Sequence, residues 1–241
     1  MTDPLLQLTD VYSGYGDAEV LHGVDLHVDS SETVAVVGPN GAGKSTVFRT
    51  IFGLLTPTAG TVEYDGEVIS GLSPPEVLRR GLAYVPQQRS TFPEMTVEEN
   101  LEMSGYLKDD VDERIERVFE RFPVLREKRH DRAETLSGGQ QQMMEMAGGL
   151  IMEADLLLLD EPSAGLAPAI VDDVFERVRD LNDDGTTFLV IEQNAHRALR
   201  VADRGYVVER GTVAIEGEAD ELLADDEVQR LYLGGRGAEE T

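Results

Sequence analysis

Three observations predict an α/β fold. Short apolar runs of strand length alternate along the chain with stretches of helical period. The runs at residues 33–37 and 156–159 stop abruptly, one on Gly38 and the other on Asp160-Glu161. One charged helical stretch near the middle interrupts the alternation. Strands that alternate with helices build a parallel sheet covered on both faces, so the chain reads as such a sheet with an inserted helical lobe.

Each element follows from its local pattern. Residues 5–11 alternate apolar and polar side chains, and residues 20–28 do so again at Val20, His22, Val24, Leu26 and Val28, as half-buried strands require. Residues 33–37 are a compact β-branched run, the pattern of a buried strand. It ends at Gly38, a helical stretch over residues 44–54 follows, and Pro57 and Gly60 then break the chain. A strand is expected over 61–69, a short helix over 74–80 and a strand over 82–85. From 96 to 132 the pattern is helical and charged. Val111, Ile115, Val118, Phe119 and Phe122 recur there at the spacing of one helix face. A helix over 140–151 precedes four leucines at 156–159. The chain continues with a helix over 168–181, a strand over 188–191, a helix over 195–201, a hairpin of 206–209 with 213–216 around Arg210-Gly211, and a helical tail over 220–232. No internal repeat and no low-complexity linker is present. The 241 residues thus form a single unit, with a core of residues 1–90 and 136–241 and a helical subdomain at 91–135.

Composition narrows the function. Lys plus Arg number 21 against 47 Asp plus Glu, a formal charge of −26. That balance excludes a bare nucleic-acid binder, which needs a basic footprint. No run approaches the roughly 18 apolar residues of a membrane span, Met1-Thr2-Asp3-Pro4 lacks the layout of a signal peptide, and there is no Cys. A soluble, intracellular protein is expected. Only Lys44, Lys108 and Lys128 are lysines, and the acids are dispersed along the chain. A dispersed acidic surface poor in Lys fits a high-salt cytoplasm, where salt screens self-repulsion; an ordinary acidic surface kept for solubility is the alternative. The acids avoid residues 33–62, 77–93 and 135–144 altogether. Such gaps mark either buried elements or segments that face a bound anion.

The motifs favour the anion. Gly38-Pro39-Asn40-Gly41-Ala42-Gly43-Lys44-Ser45 fits G-x-x-x-x-G-K-[ST], between an expected strand and an expected helix. Glycines let successive N–H groups curl round a phosphate, and the following helix offers free N–H groups and a positive dipole end. Lys44 is the residue to reach the β- and γ-phosphates and Ser45 the one to supply a hydroxyl to Mg²⁺; Thr46 completes the nucleotide-binding run. The core is therefore expected to be of the P-loop NTPase type. At the end of the leucine strand, Asp160 is the expected Mg²⁺ partner and Glu161 the expected general base for an attacking water.

Leu136-Ser137-Gly138-Gly139-Gln140 lies between these two motifs. It resembles the signature pentapeptide of ABC-transporter ATPases, and the likeness extends over nearly the whole chain. The resemblance implies an added N-terminal antiparallel β subdomain. It also implies two ATP-binding chains packed head to tail, the signature of one (Ser137, Gly138, Gly139 and Gln140) closing over ATP held by the other. Ser137 and the two glycines at a helix N-terminus make a second anion site, which needs a homologous partner, identical or not, to have anything to hold. Carried over by position, Tyr15 resembles the aromatic that stacks on adenine, with Tyr12 a weaker candidate. Gln87 resembles the glutamine that contacts Mg²⁺ and water and senses the membrane subunit. Residues 163–167 take the place of the loop that crosses the dimer interface. Gln193 stands where most members have a histidine that senses the γ-phosphate. An amide can donate a hydrogen bond to phosphate but cannot titrate, and His196 is not an evident replacement.

The remaining departures resemble one branch of the family. These are Gly165-Leu166-Ala167-Pro168, Glu192-Gln193-Asn194-Ala195, Ala202-Asp203-Arg204-Gly205-Tyr206, residues 95–101 and Tyr232-Leu233-Gly234-Gly235. Together they are similar to the second ATPase of branched-chain amino-acid importers. The ATPases of urea and short-amide importers are closely similar, and Val85-Pro86-Gln87, Arg89 and Phe92-Pro93 fit them nearly as well. The resemblance implies permease subunits in the membrane, an external binding protein acting through them, and a place on the inner face of the cell membrane. A non-transport ATPase of the same family is disfavoured by the lack of long insertions and by the acidity. A module that holds ATP without hydrolysing it is disfavoured by intact Lys44, Asp160 and Glu161.

Overall fold

The computed structural model describes residues 3–87, 90–106 and 108–231. Two sheets organise them. The first is antiparallel, in the order β2-β1-β4-β5, from β1 (Leu6–Tyr15), β2 (Ala18–Val28), β4 (Ala59–Tyr64) and β5 (Glu67–Val68). The second has six strands in the order β10-β9-β3-β8-β7-β6, from β3 (Thr33–Val37), β6 (Leu82–Val85), β7 (Leu156–Asp160), β8 (Thr187–Glu192), β9 (Arg204–Glu209) and β10 (Thr212–Glu218). β9, β3, β8, β7 and β6 run parallel, and β10 closes the edge as an antiparallel hairpin partner. The expected α/β class, with an antiparallel β unit beside the parallel sheet, is what the chain adopts.

The parallel strands are apolar on both faces because both are covered. Every residue of β3, β7 and β8 is buried. Val34, Val36, Leu158, Leu189 and Ile191 face the antiparallel sheet and α1 (Lys44–Ile51). Leu157, Leu159, Phe188 and Val190 face the opposite side, against α6 (Gly138–Ile151) and α7 (Pro168–Asp183). The rest of that side, at Ala35, Val37 and Val207, is covered by α8 (Ala195–Leu199) and α9 (Ala219–Ala224).

The differences from expectation have local causes. The expected strand over 61–69 is a hairpin of β4 and β5. Asp65 (φ 49°) and Gly66 (φ 73°) form its two-residue turn, a pair that favours positive φ in this setting. The charged stretch over 96–132 is three helices: α3 (Val97–Ser104), α4 (Val111–Arg121) and α5 (Pro123–Glu127). Thr96 and Glu99 form a capping box that starts α3, and Pro123 starts α5, where its missing N–H is no loss. The short helix at 74–80 is α2 (Pro74–Arg79). The tail is split into α9 and α10 (Asp226–Leu231). Residues 88–89 and the Tyr232-Leu233-Gly234-Gly235 motif lie outside the described residues. No helix among the described residues is long and apolar enough to cross a membrane.

Candidate nucleotide site

The register of the parallel sheet builds the site. Val37 lies opposite Glu192, Ile191 opposite Asp160, and Leu159 opposite Val85. The carboxyl ends of β3, β8, β7 and β6 therefore come together, which is where open α/β sheets bind ligands. The phosphate loop leaves β3, Glu192 ends β8 with Gln193 just beyond it, Asp160 ends β7 with Glu161 just beyond it, and Gln87 follows β6. Four chain segments that are far apart in sequence meet along one sheet edge.

The phosphate loop has the geometry that its glycines allow. A Cβ on Gly38 (φ 152°) would lie 2.1 Å from the Val208 carbonyl oxygen, so only glycine lets the loop leave the sheet there. Gly43 caps α1 at φ 110°, a conformation that L-residues avoid. No acid occupies the first turn of α1, so its N–H groups and dipole end remain available to an anion. Lys44 is buried, and its Nζ donates to the carbonyls of Gly38 (2.8 Å) and Pro39 (3.2 Å). An ammonium has three donors, so two brace the loop and the third is left for a phosphate oxygen. Burial lowers the Lys44 pKa from its usual value, opposed by the nearby carboxylates of Glu161, Asp160 and Glu192.

Next to the loop, Tyr15, Ser45, Arg49, Tyr84, Gln87 and Asp160 line a cleft of about 410 Å³. Asp160 is buried; its Oδ2 accepts from the Tyr84 hydroxyl at 2.9 Å, and its Oδ1 has no hydrogen-bond partner. Burial raises its pKa, with the Tyr84 hydrogen bond and the Arg49 and Lys44 charges opposing. A buried carboxylate oxygen without a partner, in one cleft with the Ser45 hydroxyl, is the oxygen-only donor set that suits Mg²⁺. Ser45 and Asp160 are thus the residues that would hold the ion, which would neutralise phosphate charge.

Glu161 has left the strand. Its φ of 49° is unusual for a residue with a side chain, and its N–H donates to the Ile191 carbonyl at 2.8 Å. This turn lets neighbouring carboxylates serve one cleft although adjacent strand residues point to opposite faces. The Glu161 Oε2 accepts from Gln87 Nε2 at 2.7 Å, so Gln87 here touches the candidate base directly. Tyr15 sits exposed at the mouth of the cleft, its hydroxyl accepting from Arg49 Nη1 (2.9 Å) and Thr46 Oγ1 (3.5 Å). Gln193 is exposed just beyond β8. Tyr84 and Arg49 carry no motif, and sequence reading missed both. Their only signal was position: Tyr84 precedes Val85-Pro86-Gln87, and Arg49 stands one helical turn after the Lys44-Ser45-Thr46 run.

Ser137, Gly138, Gly139 and Gln140 lie elsewhere. The Ser137 hydroxyl accepts from Gln140 N–H (3.3 Å) and Gln140 Oε1 accepts from Ser137 N–H (3.0 Å), a capping box at the start of α6. Ser137, Gly139 and Gln140 line a separate hollow with Ile170 and Arg177. The single chain does not bring the signature and the phosphate loop into one cleft. Gly139 also has a packing duty: a Cβ there would come within 2.3 Å of Ile170 Cγ2 on α7.

Fold and site together define a phosphate-loop ATPase with an added β sheet and helical lobe. Residues 21–164 match the family model described as ABC transporter. The chain is 42% identical, over 96% of its length and all of the relative's, to the high-affinity branched-chain amino acid transport ATP-binding protein BraG of Pseudomonas aeruginosa. It is 40% identical, over 95% of its length and 99% of the relative's, to the probable branched-chain amino acid transport ATP-binding protein LivF of Archaeoglobus fulgidus. A solved ATP-binding cassette of an ABC transporter in its ADP conformation superposes with a TM-score of 0.87 at 29% identity, covering 97% of this chain and all of the other. The chain belongs to the ABC transporter family, as one of its ATP-hydrolysing subunits.

Proposed function

We propose that this chain binds Mg-ATP and hydrolyses it to drive a branched-chain amino-acid importer. Gly38 to Thr46 would hold the phosphates, Tyr15 the adenine, and Ser45, Asp160 and Gln87 the Mg²⁺ and its water. Glu161 is the general base, and Gln193 stands at the γ-phosphate. The carrying observation is the meeting of β3, β8, β7 and β6 at their carboxyl ends, with the orphaned Asp160 oxygen beside Ser45. The names of the 42% and 40% identical relatives support the cargo.

The separation of the signature from the phosphate loop supports a sandwich with a homologous ATPase chain. Residues 91–135 act as the helical subdomain within the single cassette. A second cleft of about 240 Å³, lined by Phe92, Asn100, Met103, Ser104 and Glu145 among others, lies between this lobe and the sheet. Phe92 and Met103 are half-exposed apolar side chains on it. It suits a permease segment, which would place the chain in the cytoplasm on the inner face of the membrane, with the external binding protein reached only through the permease. The dispersed charge of −26 supports a high-salt cytoplasm.

Glu161→Gln tests the reading. Removing the base is expected to lower turnover by roughly 10²–10⁴-fold while ATP still closes the dimer, seen as an ATP-dependent doubling of mass in size-exclusion chromatography. Undiminished hydrolysis would remove Glu161 from that role. Uptake in vesicles carrying the native permeases and binding protein tests the cargo: leucine-stimulated hydrolysis is expected, and stimulation by urea or short amides instead would reassign it.

A further inference from the structure

Glu192 is a buried carboxylate for which the ATPase reading has no use. It ends β8, is 2% exposed, and stands opposite Val37, the last residue before the phosphate loop. Its Oε1 accepts from the Ser163 N–H at 2.9 Å. Its neighbour Ile191 accepts the Glu161 N–H at 2.8 Å. The turn Glu161-Pro162-Ser163 is therefore gripped at both ends by successive residues of one strand. Between the two grips sits a left-handed Glu161, a conformation that persists only where surrounding contacts over-determine it.

We propose that Glu192 is a positioning residue for Glu161: its carboxylate, by holding Ser163, keeps the turn closed so that the Glu161 side chain stays in the cleft. Because Gln193 directly follows Glu192 in the chain, the clamp also ties the Gln193 segment to the base. A shift at Gln193 on arrival of the γ-phosphate is then felt at Glu161 through the Glu192–Ser163 hydrogen bond. Misplacing a catalytic group by about 1 Å costs on the order of 100-fold in rate, so a clamp of this kind has kinetic weight. The inference rests on Glu161 being the base.

Two near-isosteric changes separate reach from charge. Glu192→Gln keeps the acceptor at the same distance and loses the charge; Glu192→Asp keeps the charge and withdraws the acceptor by one methylene. In the purified transporter assembly, Glu192→Gln is expected to retain kcat within about threefold. Glu192→Asp is expected to lose roughly tenfold or more, with KM for ATP changed less than about twofold in both. Amide hydrogen exchange on the full-length chain supplies the second readout: the Ser163 N–H should stay protected in Glu192→Gln and exchange faster in Glu192→Asp. Unchanged Ser163 protection in Glu192→Asp, or the reverse kinetic order with Gln the worse variant, overturns the clamp. Loss of protection with turnover intact overturns the positioning role of Glu192, whereas hydrolysis that survives in Glu161→Gln overturns the reading of Glu161 on which it stands.

Discussion

Asp160 shows how the site trades stability for function. It is buried, with one oxygen bonded to Tyr84 and the other without a partner, an arrangement costly to a charge and useful to a cation. Burial raises its pKa above the usual aspartate value, so the native state holds the proton more tightly than the unfolded chain does. Its contribution to stability is therefore full below the unfolded pKa and is lost as pH rises through the raised one. Asp160→Asn keeps the Tyr84 acceptor and removes the buried charge. In Mg²⁺-free buffer near neutral pH it is expected to melt higher than the parent by about 2–4 °C, on the order of 1 kcal/mol for a chain of this size. The gain should shrink as pH falls towards 4, and Mg²⁺-dependent hydrolysis should be lost. A lower Tm at neutral pH would show that the carboxylate is stabilising as it stands. The Lys44, Ser45 and Asp160 positions were legible from spacing alone, because phosphate chemistry admits few residue types there. Tyr84 and Glu192 were not legible: one looks like any strand tyrosine and the other like any surface acid, and only the register of the parallel strands brings them to the cleft.

The elements divide in the same way. β3, β7 and β8 could be read from the sequence because a strand buried on both faces is apolar throughout. The antiparallel sheet was read in part, since its turn at Asp65-Gly66 interrupts no alternation, and the signature helix was read two residues late because its cap belongs to a motif. That helix offers a sharp test of packing against chemistry. Gly139 has no room for a Cβ, with Ile170 Cγ2 2.3 Å away on α7. Gly139→Ala is expected to cost about 1–3 kcal/mol, as overpacking does. Adding Ile170→Ala, which removes the clashing methyl, should recover at least about half of that in a double-mutant cycle by urea denaturation. If the thermodynamic defect stays after Ile170 is trimmed, α6 is not seated on α7 by this contact. Recovered stability without recovered ATPase would assign Gly139 a second duty, to the partner's nucleotide.

Charge acts through the whole molecule. The acid-free window at residues 33–62 has two causes: β3 and much of α1 are buried, but Pro39, Asn40, Gly41, Arg49, Leu54 and Leu55 are not, and these belong to the phosphate loop or line its cleft. The window at 135–144 lines the separate signature hollow, whose facing helix α7 contributes Asp173, Glu176 and Asp180, so that hollow as a whole is not free of acids. At the site the cations Lys44 and Arg49 stand beside the carboxylates of Asp160 and Glu161, in a chain of net charge −26. Arginines on the helical lobe pair with acids, as Arg114 does with Asp110 and Glu153 and Arg129 with Glu98 and Glu116, yet the excess of acids leaves most of them facing water. At 0.1 M salt their fields reach about 10 Å, and at 1 M about 3 Å. Two effects follow from one cause: the acidic surface repels itself, and it repels ATP on approach. Raising KCl from 0.1 to 2 M is therefore expected to lift Tm by about 5–10 °C, on the order of 2–3 kcal/mol for a chain of this size, and to lower KM for ATP with kcat maintained. Sucrose of matched water activity should leave KM for ATP unchanged even where it raises Tm, because it favours compact states by exclusion and screens nothing. A KM for ATP that falls equally in sucrose, or hydrolysis that collapses by 1 M KCl, would make the acidity a solubility feature and remove the high-salt reading.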